Sequence, residues 1–217
     1  MLKLIAVISM VFDHVGDNFF PEWTWMRVIG RIAMPIFAFF VAEGYLHTHD
    51  RKKYLIRLLI FGLISEAPFD LLTAGKVLEF SHQNIMLTFA WAVVGLMAFD
   101  RLTEKADSKS STVLGVVSIF VFLILALVLK LDYDMVAVGL VYIFVMLNDR
   151  GLDAKIVAGV IFYTLMRNVG VYWYALFGFI FLFFYNGQRG RGMKWFFYAF
   201  YPGHLLLLYL LKLALAR

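Results

Sequence analysis

A polytopic bundle of membrane helices is the all-α fold predicted by three observations. Of 217 residues, 63% are hydrophobic and only 16% charged, where soluble domains run at roughly 45–50% and about 25%. The apolar residues gather in long runs separated by short basic loops, without the period-two alternation of an outer-membrane barrel. No long polar stretch interrupts them, so residues 1–217 read as one membrane-embedded unit with no separate soluble domain.

The runs are 2–20, 27–46, 53–73, 83–99, 112–130, 133–148, 153–167, 171–186 and 195–216. A span needs around 20 apolar residues, so about nine spans are expected, or eight to ten if the short sixth and seventh runs are half-helices. The first run lacks an A-x-A-like cleavage site and reads as a retained helix. It starts MLKLIAVISMVF and then meets Asp13, His14 and Asp17. The second carries Arg31 and Pro35 and ends near Glu43; the third carries Arg57, Glu66, Pro68 and Asp70. The fourth opens with His82, Gln83 and Asn84 at its edge. Loop 100–111 (DRLTEKADSKSS) then divides a polar-rich half, 1–99, from runs 112–186, which hold almost no ionisable groups and read mainly as scaffold. The last run, 195–216, carries Pro202 and His204.

Charge gives the orientation. Loops 51–53, 101–109, 150–155 and 189–194, with Lys3, hold twelve Lys/Arg, against five at Arg27, Lys76, Lys130, Arg167 and Arg217. This bias predicts a cytoplasmic N-terminus and, with an odd number of spans, an external C-terminus. The net charge of +5 is therefore a topology signal in a lipid bilayer and does not point to nucleic acid. The chain has no cysteine, which excludes disulfides, thiolate nucleophiles and cysteine-ligated metals.

Ionisable groups inside a span are costly and usually line a cavity or pair with one another. At about 1.5 Å per residue, His14 lies roughly 17 Å beyond Lys3, just past the midplane of a core about 30 Å thick. By the same rise, Arg31 lies about 6 Å below the outer face, and Glu66 and Asp70 lie about 20 and 25 Å up their helix. His204 falls near mid-depth. One slab thus collects His14, Asp17, Arg31, Glu66, Asp70, Gln83, Asn84 and His204. His14 and Asp17 share a helix face, as do Glu66 and Asp70. Asp13 points about 100° from His14 and is expected to meet a cation of the next helix, such as Arg31. Pro35, Pro68 and Pro202 free backbone carbonyls beside these groups, which fits a water-accessible cavity. The plain structural alternative is a set of ion pairs that fix helix packing. A zinc site from His14, Asp17, His82 and Glu66 has no supporting ligand spacing, and no metal is expected.

A second cluster lies near the expected cytoplasmic face. Arg51, Lys52, Lys53 and Arg57 suit phosphates, or equally the headgroups of anionic lipid. Glu43 and Arg57 are expected to pair across adjacent helices.

A carboxylate-oriented histidine can act as a general base near neutral pH, and an arginine or amide can stabilise an oxyanion. Together they suit acyl transfer to an amine or hydroxyl, with the imidazole acting as base or carrying the acyl group. No G-x-S-x-G nucleophile elbow is present. The same groups suit a proton-coupled small-molecule transporter, although no internal repeat supports one. A membrane scaffold without catalysis is the third reading.

The order of motifs narrows this choice. The chain reads LKLIAVISMVFDHVG, RVIGRIAMPIFAFFVAEGYLHT, KKYLIRLLIFGLISEAPFDLL, QNIMLTFAW and finally FYPGHLLLLYLLK. It resembles the TraX family, whose named member acetylates the N-terminus of conjugative pilin. The resemblance is close over the first 90 residues, looser over the last 20, and limited to hydropathy between them. That family is similar to integral-membrane acyltransferases such as the heparan glucosaminide N-acetyltransferases. The resemblance implies a bacterial cytoplasmic-membrane enzyme that takes acetyl from cytosolic acetyl-CoA to a peptide N-terminus, an envelope glycan or a small amine. It implies His14 with Asp13 or Glu66 as the catalytic group, His204 as a second base, and Arg31 and Asn84 on the acyl carbonyl. Lys52, Lys53 and Arg57 would receive the CoA phosphates.

Overall fold

The computed structural model describes residues 1–104, 107–167, 170–188 and 194–215. Among them the regular structure is helical: α1 (Leu2–Phe19), α2 (Thr24–Arg31), α3 (Ala33–His47), α4 (Arg51–Ala74), α5 (Ile85–Glu104), α6 (Ser108–Val128), α7 (Asp134–Met146), α8 (Gly151–Met166), α9 (Leu176–Leu182) and α10 (Lys194–Leu215). Short 3₁₀ turns precede α8 (Asn148–Arg150) and α9 (Gly170–Ala175). Lys105, Arg189, Arg191 and Arg217, counted in the charge bias, lie outside the described residues.

Local chemistry explains the boundaries. Asp50 caps α4 by accepting the Lys53 amide at 2.9 Å, and Gly75 ends that helix in the left-handed conformation that glycine adopts at least cost. The second apolar run breaks into α2 and α3 because the Pro35 ring clashes with the carbonyl four residues back, that of Arg31. Arg31 therefore ends α2 at the break.

The span count differs from the expected nine. Among the described residues, four helical stretches are long and apolar enough to cross a membrane: Thr24–His47, Ile85–Glu104, Lys109–Val128 and Trp195–Leu215. A fifth arises if Asp134–Met146 and Asn148–Met166, bent by 58° at their junction, form one broken span. Three physical reasons account for the difference. Runs six and seven became this bent pair, and run eight became a 3₁₀ turn with a seven-residue helix. Runs one and three form helices of 18 and 24 residues, but Lys3, Asp13 and Asp17 in α1, and Arg57, Glu66 and Asp70 in α4, keep both too polar to qualify by composition.

α7 lies at the centre, with Val136 to Val141 essentially inaccessible. α3 and α5 both pack on it, with Phe39 of α3 edge-on to Phe144 at 5.5 Å between ring centroids. α6 is the opposite case: Val116, Val117, Phe120, Ile124 and Val128 stay exposed, the outward apolar face expected against lipid tails. α1 pairs closely with α2, and α4 with α10. Two connections are tied by backbone: the Gln83 amide donates to Lys130 O at 3.0 Å, and the Asp132 amide to Gln83 O at 3.1 Å. Lys212 Nζ ties the ends of three helices, reaching Asn18 Oδ1 and Leu72 O, each at 3.1 Å.

Candidate functional site

The close contact of α1 with α2 depends on glycine. A Cβ at Gly30 would fall 2.3–2.6 Å from Asp13, and one at Gly16 would fall 2.7 Å from the Met26 Cβ. With no side chain in the way, Asp13 reaches Arg31 in a direct ion pair, and Arg27 stands 3.5 Å away. Arg27 also bonds Asp17 at 2.8 Å. The predicted 100° offset thus sends Asp13 to the neighbouring helix. Asp17, however, is half exposed and engaged by Arg27, a residue the sequence reading had placed only among the outer loop charges.

His14 meets a partner 190 residues away. Its Nδ1 lies 2.8 Å from Nε2 of His204, and the two imidazoles stack with centroids 5.1 Å apart. His204 Nδ1 lies 2.9 Å from the Phe200 carbonyl, which can only accept. In the neutral pair the protons are therefore assigned in sequence. His204 Nδ1–H donates to the carbonyl, so His204 Nε2 accepts. His14 Nδ1–H then donates to it, and His14 Nε2 keeps its lone pair. Phe200 stacks on His204 at 5.0 Å, and Tyr201 flanks both rings.

The other expected residues are spread more widely. Asn84 Nδ2 donates to Gly62 O at 2.9 Å and to Glu66, while its Oδ1 accepts the Met86 amide at 3.0 Å. Its bonding capacity therefore goes to binding α4 to the start of α5. Glu66 Oε1 is buried with no hydrogen-bond partner among the described residues. Asp70, fully buried, accepts the Glu79 amide at 2.7 Å and braces the 75–84 loop. Gln83 serves that loop through its backbone. His82 Nε2 lies 3.2 Å from Asp132, whose carboxylate raises the imidazole pKa above its ordinary value. The four groups considered for zinc go to separate partners. Among the described residues no three His, Asp or Glu side chains gather as a metal-binding group.

At the opposite end Glu43 does not meet Arg57. Its two oxygens take Lys155 at 3.4 Å and the Tyr185 hydroxyl at 2.8 Å, and Lys155 also bonds Asn148 at 3.0 Å. Arg57 instead packs over the Tyr54 ring, beside Tyr198. Arg51 pairs with Asp100 at 2.5 Å, in a 470 Å³ open cavity shared with Thr103, Glu104 and Ser111. Lys53 pairs with Asp50 at 3.5 Å, and Lys52 is exposed.

The arrangement can take a proton at His14 Nε2, supported by an imidazole anchored to backbone, beside a carboxylate neutralised by two guanidinium groups. The family model described as "TraX protein" matches residues 1–212. The chain belongs to the TraX family. The match includes residues 112–186, where only hydropathy had pointed to TraX. The chain is 28% identical to the "Probable fimbrial assembly protein FimC, serogroup H1" of Dichelobacter nodosus, over 95% of this chain and 92% of that protein. It is 32% identical to "Protein TraX" of Escherichia coli over 42% of this chain and 36% of that one. An uncharacterised protein of Rickettsia prowazekii is 47% identical over 41% of this chain and 32% of its own. No solved structure matches.

Proposed function

We propose that this TraX-family protein is a bacterial inner-membrane acetyltransferase serving a fimbrial or pilin-like acceptor. It would move acetyl from cytosolic acetyl-CoA to an amine or hydroxyl. The observation that carries the reading is the His14–His204–Phe200 chain, which leaves the Nε2 lone pair of His14 on α1 unused. The relatives named for fimbrial assembly and TraX support the acceptor class.

In this mechanism His14 Nε2 removes a proton from the acceptor as its nitrogen or oxygen attacks the acetyl carbonyl carbon. The new C–N or C–O bond forms, the C–S bond breaks, and the CoA thiolate leaves and is protonated by the imidazolium. His204 positions and steadies His14 through its Nδ1. Asp13, held by Arg31 and Arg27, positions α1 against α2. On this reading CoA arrives at the end that carries Arg51, Lys52, Lys53 and Arg57, and that end and the N-terminus face the cytoplasm.

The test is purified protein in detergent or nanodiscs, given radiolabelled acetyl-CoA and peptide or small-amine acceptors. General-base catalysis contributes on the order of 10²–10⁴-fold, so His14→Ala should lose that much transfer while keeping its melting temperature. His204→Ala should lose less and shift the pH–rate profile. Transfer undiminished in His14→Ala removes His14 from the chemistry. Absence of acetyl-CoA binding by the wild type defeats the acetyltransferase reading.

A further inference from the structure

The turn between α6 and α7 holds three non-glycine residues in the left-handed region: Lys130 (φ 54), Tyr133 (φ 55) and Asp134 (φ 44). Such conformations are rare for residues with a Cβ and persist only where surrounding structure imposes them, often at ligand sites. All three line one cavity of 330 Å³, within the size range of small-ligand sites. The cavity is also lined by His82 from the α4–α5 loop, Arg167 after α8 and Arg31 at the α2 break.

The lining has a clear balance of unused valence. Its carboxylates are occupied: Asp134 takes Arg167 at 2.5 Å and the Val136 amide at 3.2 Å, and Asp132 takes His82 at 3.2 Å. Its donors are not. The Lys130 ammonium has no partner among the described residues. Arg31, with a side chain only 5% exposed, has a buried Nε without a hydrogen-bond partner. Its guanidinium sits between the Tyr133 and Tyr172 rings, at 5.4 and 5.3 Å, which fixes its plane.

We propose that this cavity is an oxyanion-binding subsite that takes a phosphate or carboxylate group on Lys130 and Arg31. Arg31 is shared with Asp13, the neighbour of His14, so the bound anion lies one side chain away from α1. This inference stands independently of acetyl transfer, because it concerns binding alone.

The probe is inorganic phosphate, titrated against the purified protein at constant ionic strength set with chloride, with thermal stability as the readout. Wild type in phosphatidylcholine nanodiscs should melt at a higher temperature as phosphate is added. Lys130→Asn removes the ammonium with a residue that tolerates the left-handed backbone, and should weaken the apparent affinity at least fivefold. Lys130→Arg should retain it, and Lys76→Asn, in the neighbouring loop, should match wild type. A free oxyanion ligand predicts that phosphate acts equally in phosphatidylglycerol nanodiscs. A lipid headgroup ligand predicts stability already raised there and insensitive to phosphate. No stabilisation by phosphate or phosphatidylglycerol, or equal stabilisation of Lys130→Asn, overturns the proposal.

Discussion

At one end of the bundle Glu43 and Lys155 face each other with side chains 14% and 7% exposed, and every polar neighbour closes on them: Tyr185, Asn148 and His47. At the other, Asp13 and Arg31 are buried to a similar degree, yet Asp13 Oδ1, Arg31 Nε and, on α4, Glu66 Oε1 are buried with no hydrogen-bond partner among the described residues. Both layers carry charges that are expensive to hold away from water. The first satisfies them completely, as a packing device would. The second leaves valence unfilled, and buried unfilled valence is a cost that a ligand or a reacting group can relieve. Burial of charge alone therefore does not mark a site: the Glu43–Lys155 pair is as buried as Asp13–Arg31, yet only the latter leaves polar atoms of the pair unbonded.

The largest effect that tests this contrast is at the closed layer. Removing one partner of a buried pair costs about 3–5 kcal/mol, because the other charge is stranded. Lys155→Ala should therefore lower thermal stability sharply, whereas the double variant Lys155→Met with Glu43→Gln should recover most of the loss. If the single variant melts like wild type, the closed layer is not a structural clamp. A smaller effect is expected where α1 touches α2. Gly30→Ala forces a methyl group into Asp13, and overpacking of this kind costs about 1–3 kcal/mol. It should also reduce any acetyl transfer by displacing His14, an outcome that a purely packing role for the Asp13–Arg31 layer does not predict. The smallest effect is at the loops. Asp132 raises the folded-state pKa of His82, so protonation of His82 stabilises the fold. That contribution is complete below the unfolded value, about 6.5, and is lost as pH rises through the raised value. Wild type should show a shallow fall in melting temperature across that window, and His82→Ala should flatten it.

Much of the open layer was legible in the chain. The 100° step between Asp13 and His14 sent the carboxylate to the next helix, whereas the run 27–46, read as one span, hid the break that leaves Arg31 at a helix end. Contacts that depend on distant helices were not. Nothing local tells that His204, rather than a carboxylate, orients His14, or that Lys155 rather than Arg57 meets Glu43, since 190 and 112 residues separate those partners. The span count failed for a related reason. Hydropathy measures each run alone, while the 58° bend between α7 and α8 is a property of how they pack. Lys155 and Lys212 did carry a signal, being lysines next to or inside apolar runs, but charge counting read Lys155 as topology and left Lys212 unassigned.

The position of His204 on α10 has a consequence for biosynthesis. A nascent chain threaded into the bilayer as far as α9 already holds His14, Asp13 and Arg31, but His14 Nδ1 still lacks its acceptor. Only the arrival of α10 brings His204 to α1, and Lys212 then fastens that helix to Asn18 and the Leu72 carbonyl. The contact between the two imidazoles is thus one that a chain synthesised only as far as α9 has not yet formed.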